Sequence, residues 1–340
     1  MNFASDTAAP AHPNVVEAVM AANSGMAASY GGDEMMASLR GKLAAVFETE
    51  DFDYWITVSG TASNALALAC FCSPMGAVLC HEEAHIQNDE RGAPEFFMGG
   101  GKLQLLKGFG ARIDREALEG ALAGINRAFT HQTPADVLSL TNLTECGTAY
   151  RAAEVALYAG MAKEKGLAVH MDGSRLGNLL AGSHSSAAEM TWKAGVDVLS
   201  FGLSKTGALG CEVIVLFGAA RAKFEELKAR AKRAGHMPPK MRFLAAQAHA
   251  MLEDGLWLKL AGEANARAQE LANGFMASGV ELAYPVDGNE VFALLSTEDA
   301  ARLREAGAVF YPWQSGGYRF VCSWCTGENE IAAVANALAA

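Results

Sequence analysis

Between residues 54 and 217 the chain alternates strand-length apolar runs with helical stretches. The runs are Tyr54–Val58, Gly76–Cys80, Lys102–Leu106, Val137–Asn142, the stretch entering Asp172, Val196–Leu199 and Val213–Phe217. Several end in Gly, Ser, Asn or Asp, as strands do where they run into loops. Helical patterns lie between them: one opening at Gly60, an amphipathic one over Arg112–Asn126, and one over Tyr150–Lys165. This alternation predicts an α/β fold built on a doubly wound, mostly parallel sheet.

The flanks read differently. Val15–Ala22 has helical spacing, and Asp33 is placed to cap a helix carrying Met35, Leu39, Leu43 and Val46. A basic helix is predicted over 219–234, helices over Met241–Leu252 and Leu256–Ser278, and an α+β tail after that, with a helix at Thr297–Ala306 and a strand around Arg319. The expected division is an N-terminal arm and helix (1–40), a large domain (41–244) and a smaller C-terminal α+β domain (245–340).

Lys205 sits in a Gly/Ser-rich loop between two apolar runs. A buried ammonium is costly unless it is paired or converted to something else, and one conversion is an imine with the aldehyde of pyridoxal phosphate (PLP). Asp172 precedes Lys205 by 33 positions, about one strand–helix–strand unit. In a parallel sheet such a unit brings both loops to one edge, where α/β sheets bind ligands. There an acid pairs with the pyridinium nitrogen while the lysine holds the aldehyde carbon. The turn Gly60-Thr61-Ala62-Ser63-Asn64, opening a helix, offers backbone N–H groups to a phosphate.

Three motifs compete. His81-Glu82-Glu83-Ala84-His85 matches HExxH, which binds zinc only on a continuous helix; here it follows a strand-like run, so His85 is expected at a strand end, free to stack on a planar ring. Cys322 and Cys325 make a single CxxC with no second pair. The loop around Lys205 is not a Walker loop, because Ser204 and Leu199 stand where glycines are required. Metal is therefore not expected, and a non-catalytic or zinc-binding protein is the outlying reading. Arg319 reads either as a surface residue or as a carboxylate clamp.

Composition narrows the class. The chain has 340 residues, 51% of them hydrophobic, and a net charge of −11. That is globular and argues against a nucleic-acid surface. The seven scattered cysteines suit reduced thiols, and the N-terminus lacks the apolar core of a signal peptide, so a cytoplasmic protein is expected.

Taken together, SDT, GGDE, SGTASN, EEAHIQNDERGA, HMDGSRLGN, LSKTGALG and YRFVCSW, in this order over nearly the whole chain, resemble the low-specificity L-threonine aldolase and β-eliminating lyase group of PLP fold-type I enzymes. The resemblance implies Lys205 as the Schiff-base lysine, Asp172 as the pyridinium partner and His85 as the ring-stacking residue and candidate base. It implies Gly60, Thr61 and Ser204 at the phosphate, and Ser5, Arg175 and Arg319 at the substrate carboxylate, with Arg175 also beside the cofactor. Arg233 or Arg242 would reach the cofactor or a neighbouring subunit, and the protein would be a homo-oligomer, dimer or tetramer. The reaction implied is retro-aldol cleavage of an L-β-hydroxy-α-amino acid to glycine and an aldehyde, with β-elimination or transamination as the alternative. Many such sequences read Glu-Asn-Thr-His where this chain has Thr141-Asn142-Leu143-Thr144. Thr144 thus replaces a histidine, which leaves the preferred aldehyde side open and admits aryl substrates such as phenylserine.

Overall fold

The computed structural model describes residues 1–314 and 316–339. Its centre is a seven-stranded sheet of β1 (Phe52–Thr57), β2 (Ala77–His81), β3 (Lys102–Leu106), β4 (Ala135–Thr141), β5 (Ala168–Gly173), β6 (Val198–Gly202) and β7 (Glu212–Phe217), in the order β1-β7-β6-β5-β4-β2-β3. Strands β2 to β6 pair in parallel, whereas β7 runs antiparallel to both neighbours. The reversal has a simple cause. Only residues 203–211 join β6 to β7, and a parallel return needs a crossover of a dozen residues or more. Strands β2, β6 and β7 are buried at every position, as the near-continuous apolar runs require of strands covered on both faces.

The helix Gly60–Phe71 buries residues 62–70 between the sheet and its outer layer. Two predicted helices are trimmed. The amphipathic one covers only Arg115–Ala123, between Asp114 and Gly124. The basic stretch divides into a 3₁₀ turn, Gly218–Lys223, and an α-helix, Phe224–Arg233.

A second, antiparallel sheet has the order β8 (Glu290–Ala293), β10 (Tyr318–Val321), β9 (Tyr311–Pro312). Its core gathers Phe3, Phe275, Phe310 and Phe320, with the last two rings stacked 4.4 Å apart. The helix Leu256–Ala277 links the two cores: Trp257 and Leu260 belong to the first, Leu271 and Phe275 to the second. The N-terminal segment is stitched across this region. Phe3 donates its N–H to Val309 O and accepts from Val321 N, both at 2.9 Å, and His12 N donates to Gly207 O at 2.8 Å. Among the described residues no helix is long and apolar enough to cross a membrane.

Candidate active site

β5 and β6 are parallel neighbours, so the loops leaving them open on the same edge. Asp172 ends up beneath that edge and Lys205 at its rim. The two strands pass closely: a Cβ on Gly202 would lie 2.4 Å from Ser174 O, so only glycine fits there. A cavity of about 480 Å³ opens at this point, lined by Ser59, Gly60, Thr61, His85, Ser174, Ser204, Lys205 and Glu212, with Thr7 closing one side. A larger cavity of about 940 Å³, lined by Arg112, Arg151 and His184 among others, contains none of these groups.

Asp172 is 2% exposed and fully hydrogen-bonded. Its Oδ1 accepts from Ser174 N (2.9 Å) and Ser174 Oγ (2.6 Å), and its Oδ2 accepts from Asn64 Nδ2 (2.7 Å). Burial alone would raise its pKa, but Lys205, His85 and the Ser174 donors outweigh burial and hold the carboxyl below its ordinary range. The Lys205 pKa is lowered as well, which for an amine favours the neutral form. Burial and the nearby Arg175 charge lower its pKa, against the opposing pull of Asp6, Asp172 and Glu290, so more of the nucleophilic free amine is present near neutral pH.

His85 opens a short helix, His85–Asn88, just after β2. His81 stands at the end of β2 and is turned elsewhere, its Nδ1 accepting from Glu83 N and its Nε2 lying 3.3 Å from Gly108 O. The two histidines of HEEAH therefore do not share a helix face. Among the described residues no cluster of three or more His, Cys, Asp or Glu is arranged to hold a metal ion. All seven cysteines are unpaired.

The phosphate end is a helix N-terminus. Ser59 caps the helix Gly60–Phe71 by accepting from Ala62 N at 3.3 Å, and the first-turn N–H groups have no partner within their helix. Ser204 accepts from Cys211 N at 3.0 Å, which fixes its hydroxyl at the cavity wall. The amine and the helix N-terminus thus line one cavity, with the buried acid beneath it behind Ser174, which suits PLP.

Several expected residues lie elsewhere. Ser5 does not line this cavity; its hydroxyl caps the turn Asp6–Ala8 and borders a separate small cavity with Ser323 and Cys325. The next residue, Asp6, is the one that reaches inward. Its Oδ2 accepts from Arg175 Nε at 2.8 Å and from Asn289 Nδ2 at 3.1 Å. Arg175 also stands 3.3 Å from Glu290 Oε2, and Arg319 donates Nε and Nη2 to Glu290 Oε1 at 2.9 and 2.7 Å. Asp6, Arg175, Glu290 and Arg319 are therefore one chain of alternating charge, and the two arginines expected at the substrate carboxylate are already held by carboxylates of the protein. Arg242 donates to Ser24 O and Gly25 O, and Arg233 is exposed; neither lines the cavity of this chain.

Sequence reading missed Asp6, Asn64, Glu90, Glu145, Glu212 and Glu290. Glu145 Oε1 accepts from His85 N and from Thr141 Oγ1, each at 2.8 Å, and burial pushes its carboxyl up to about 7. Glu212 accepts from Leu203 N at 3.1 Å and is likewise pushed up to about 7 by burial. Only Glu212 and Glu290 carried a signal, an acid directly before an apolar run, and it does not say which partner each will find. Thr144 is fully buried, with its hydroxyl donating to Gly110 O at 2.9 Å beside Thr148 Oγ1, so it offers nothing to the cavity.

An amine with a lowered pKa above a buried, ionised acid at a free helix N-terminus is the arrangement of a PLP-dependent enzyme. The chain belongs to the beta-eliminating lyase family, whose model matches residues 2–298. It is 39% identical to a low specificity L-threonine aldolase of Pseudomonas sp., over 97% of this chain and 94% of that one. It is 40% identical to a protein of the same description from Pseudomonas aeruginosa, with the same coverage. The fold matches a threonine aldolase structure from Leishmania major with a TM-score of 0.92, at 25% identity, covering 99% of this chain and 98% of that one.

Proposed function

We propose that this chain cleaves L-threonine, L-allo-threonine and related L-β-hydroxy-α-amino acids to glycine and an aldehyde. The observation that carries the reading is the convergence of Lys205 and His85 on one cavity above Asp172. Similarity to the low specificity L-threonine aldolases supports the choice among PLP reactions.

When bound, PLP supplies an electron sink for the pair left at Cα as the Cα–Cβ bond breaks. Lys205 would hold its aldehyde end, Asp172 its ring nitrogen, and Gly60, Thr61 and Ser204 its phosphate. Asp172 is held ionised by Lys205, His85 and the Ser174 donors against the cost of burial, and so would favour a protonated ring nitrogen. His85 takes the β-hydroxyl proton. Arg175 and Arg319 would orient the substrate carboxylate by giving up part of their hold on Asp6 and Glu290. With Thr144 turned away, nothing polar from that position crowds the β-substituent, which supports aryl substrates such as phenylserine.

A homo-oligomer fits the exposed apolar side chains Met20, Met26 and Tyr30 on the N-terminal stretch, near Arg242. The decisive assay is product analysis with threonine and phenylserine. Glycine plus the matching aldehyde supports the aldolase; ammonia plus a keto acid replaces it with β-elimination.

A further inference from the structure

Among the described residues, His85 is the one histidine lining the Lys205 cavity. Behind its ring lies Glu90, whose side chain has no exposed surface. Glu90 Oε1 is 2.8 Å from His85 Nδ1 and 2.8 Å from Asn64 Nδ2. The same Asn64 nitrogen is 2.7 Å from Asp172 Oδ2. One buried line therefore runs from His85 through Glu90 and Asn64 to Asp172. Glu90 Oε2 is buried without a partner, so only Oε1 does the holding.

We propose that Glu90 is a positioning residue for the reaction: it holds the Nδ1 proton of His85, so that Nε2 presents its lone pair to the substrate's β-hydroxyl. This rests on the reading of His85 as the base. A neutral imidazole carries one proton, and the partner of one nitrogen decides which nitrogen that is. Glu90 Oε1 already accepts from the Asn64 amide; burial raises its carboxyl pKa, but the hydrogen bonds of His85 and Asn64 pull it back toward the ionised, acceptor form. In the step itself one proton passes from the hydroxyl oxygen to Nε2. The O–H electron pair becomes the second carbon–oxygen bond of the aldehyde, and the Cα–Cβ pair stays with Cα. The imidazolium that forms is stabilised by the Glu90 carboxylate, as in other base–orienter pairs.

Other charges also reach the ring. Asp172 supports its protonation, Lys205 opposes it, and Glu145 Oε1 holds the His85 backbone N–H at 2.8 Å. Burial works against the charged ring, yet the net shift is upward, with the Glu90 hydrogen bond the leading upward contribution.

The test uses Glu90→Gln. The amide oxygen can keep both hydrogen bonds that Oε1 makes, so the variant removes charge while sparing geometry. In protein labelled with ¹⁵N-histidine and freed of cofactor, His85 (assigned by its loss in His85→Asn) should show a protonated Nδ1 and a bare Nε2. In Glu90→Gln its titration should move down by about one pH unit, the size expected for losing one close opposite charge. With cofactor restored, the acid limb of the kcat/KM profile should move down by the same amount, because the base must be neutral to act. kcat should fall roughly tenfold or more, with KM little changed. A proton found on Nε2, or an unmoved titration and acid limb in Glu90→Gln, overturns the proposal. An unchanged retro-aldol rate in His85→Asn would instead remove the base reading beneath it. A full loss in His85→Asn with an unmoved Glu90→Gln profile would remove the Glu90 role alone.

Discussion

Arg175 grips Asp6 with two nitrogens, Nε at 2.8 Å from Oδ2 and Nη2 at 3.2 Å from Oδ1, across 169 positions of sequence. Both side chains are nearly inaccessible to water. The pair ties the N-terminal segment to the loop that follows Asp172.

Breaking such a pair leaves the buried guanidinium with Glu290 alone as its close counter-charge. Asp6→Asn should cost about 3–5 kcal/mol of stability at pH 7. The pH dependence follows from the direction of the shift. Burial opposes ionisation, but Arg175 and Lys205 outweigh it and hold Asp6 below its ordinary 3.8. Its stabilising contribution is therefore present above pH 3.8 and is lost as pH falls through the lower, folded-state value. Urea unfolding of both proteins at pH 7 and near pH 2 should show the gap shrinking in acid; a constant gap would contradict this origin.

Lys205→Ala and Arg319→Ala should fail differently. The first should abolish the visible absorbance of lysine-bound cofactor and nearly all turnover. The second should keep that absorbance and lower kcat/KM by roughly thirtyfold or more, the scale for losing a buried charge contact of 2–5 kcal/mol. Arg319→Lys should rescue poorly, because Glu290 Oε1 accepts from both Nε and Nη2 and an ammonium cannot reproduce that fork. Cofactor loss in Arg319→Ala would place Arg319 in cofactor binding instead.

Glu145 has the opposite sign to Asp6. Its folded-state pKa is raised from 4.5 to about 7, chiefly by burial. Between those values the folded protein binds the extra proton, so stability falls as pH rises through the window. Glu145→Gln keeps an oxygen for His85 N and Thr141 Oγ1 but cannot ionise. The decline in melting temperature from pH 5 to pH 8 should be smaller in this variant; an identical decline would assign it to another group.

Thr144→Val should lower stability by about 1–3 kcal/mol, because it strands the buried Thr148 N–H that now meets its hydroxyl, while Gly110 O keeps the Thr148 hydroxyl. The retro-aldol rate at a temperature well below unfolding should stay within a few-fold. A hundredfold loss would mean that the hydroxyl serves the substrate after all.

The strand ends were legible in sequence because their apolar runs are continuous and their loops carry Asp172, His85 and Lys205 within a few positions of the break. The antiparallel β7 was also there to be read, in the short stretch 203–211. The buried carboxylates were not. Glu290 in Gly288-Asn289-Glu290-Val291 looks like any acid at a strand start, and its partners are Arg175 and Arg319. Asp6 meets Asn289 across 283 positions. Hydrophobic periodicity reports which face is buried; it carries no information about which distant charge will be waiting there. The resemblance implies Ser5 at the substrate carboxylate, yet in the fold Ser5 caps the turn and its neighbour Asp6 meets Arg175.

The stitching of Phe3 to Val309 and Val321 has a consequence for how the molecule comes into being. In synthesis Phe3 precedes its hydrogen-bonding partners Val309 and Val321 by some three hundred residues. Domains can fold during synthesis, N-terminal parts first. Here the seven-stranded sheet can pair while Asp6 still hangs free, and Arg175 stays without that counter-charge until the three-stranded sheet arrives to fix the segment. The segment that holds Thr7 against one side of the cavity thus docks only after the strands that fix it have been made.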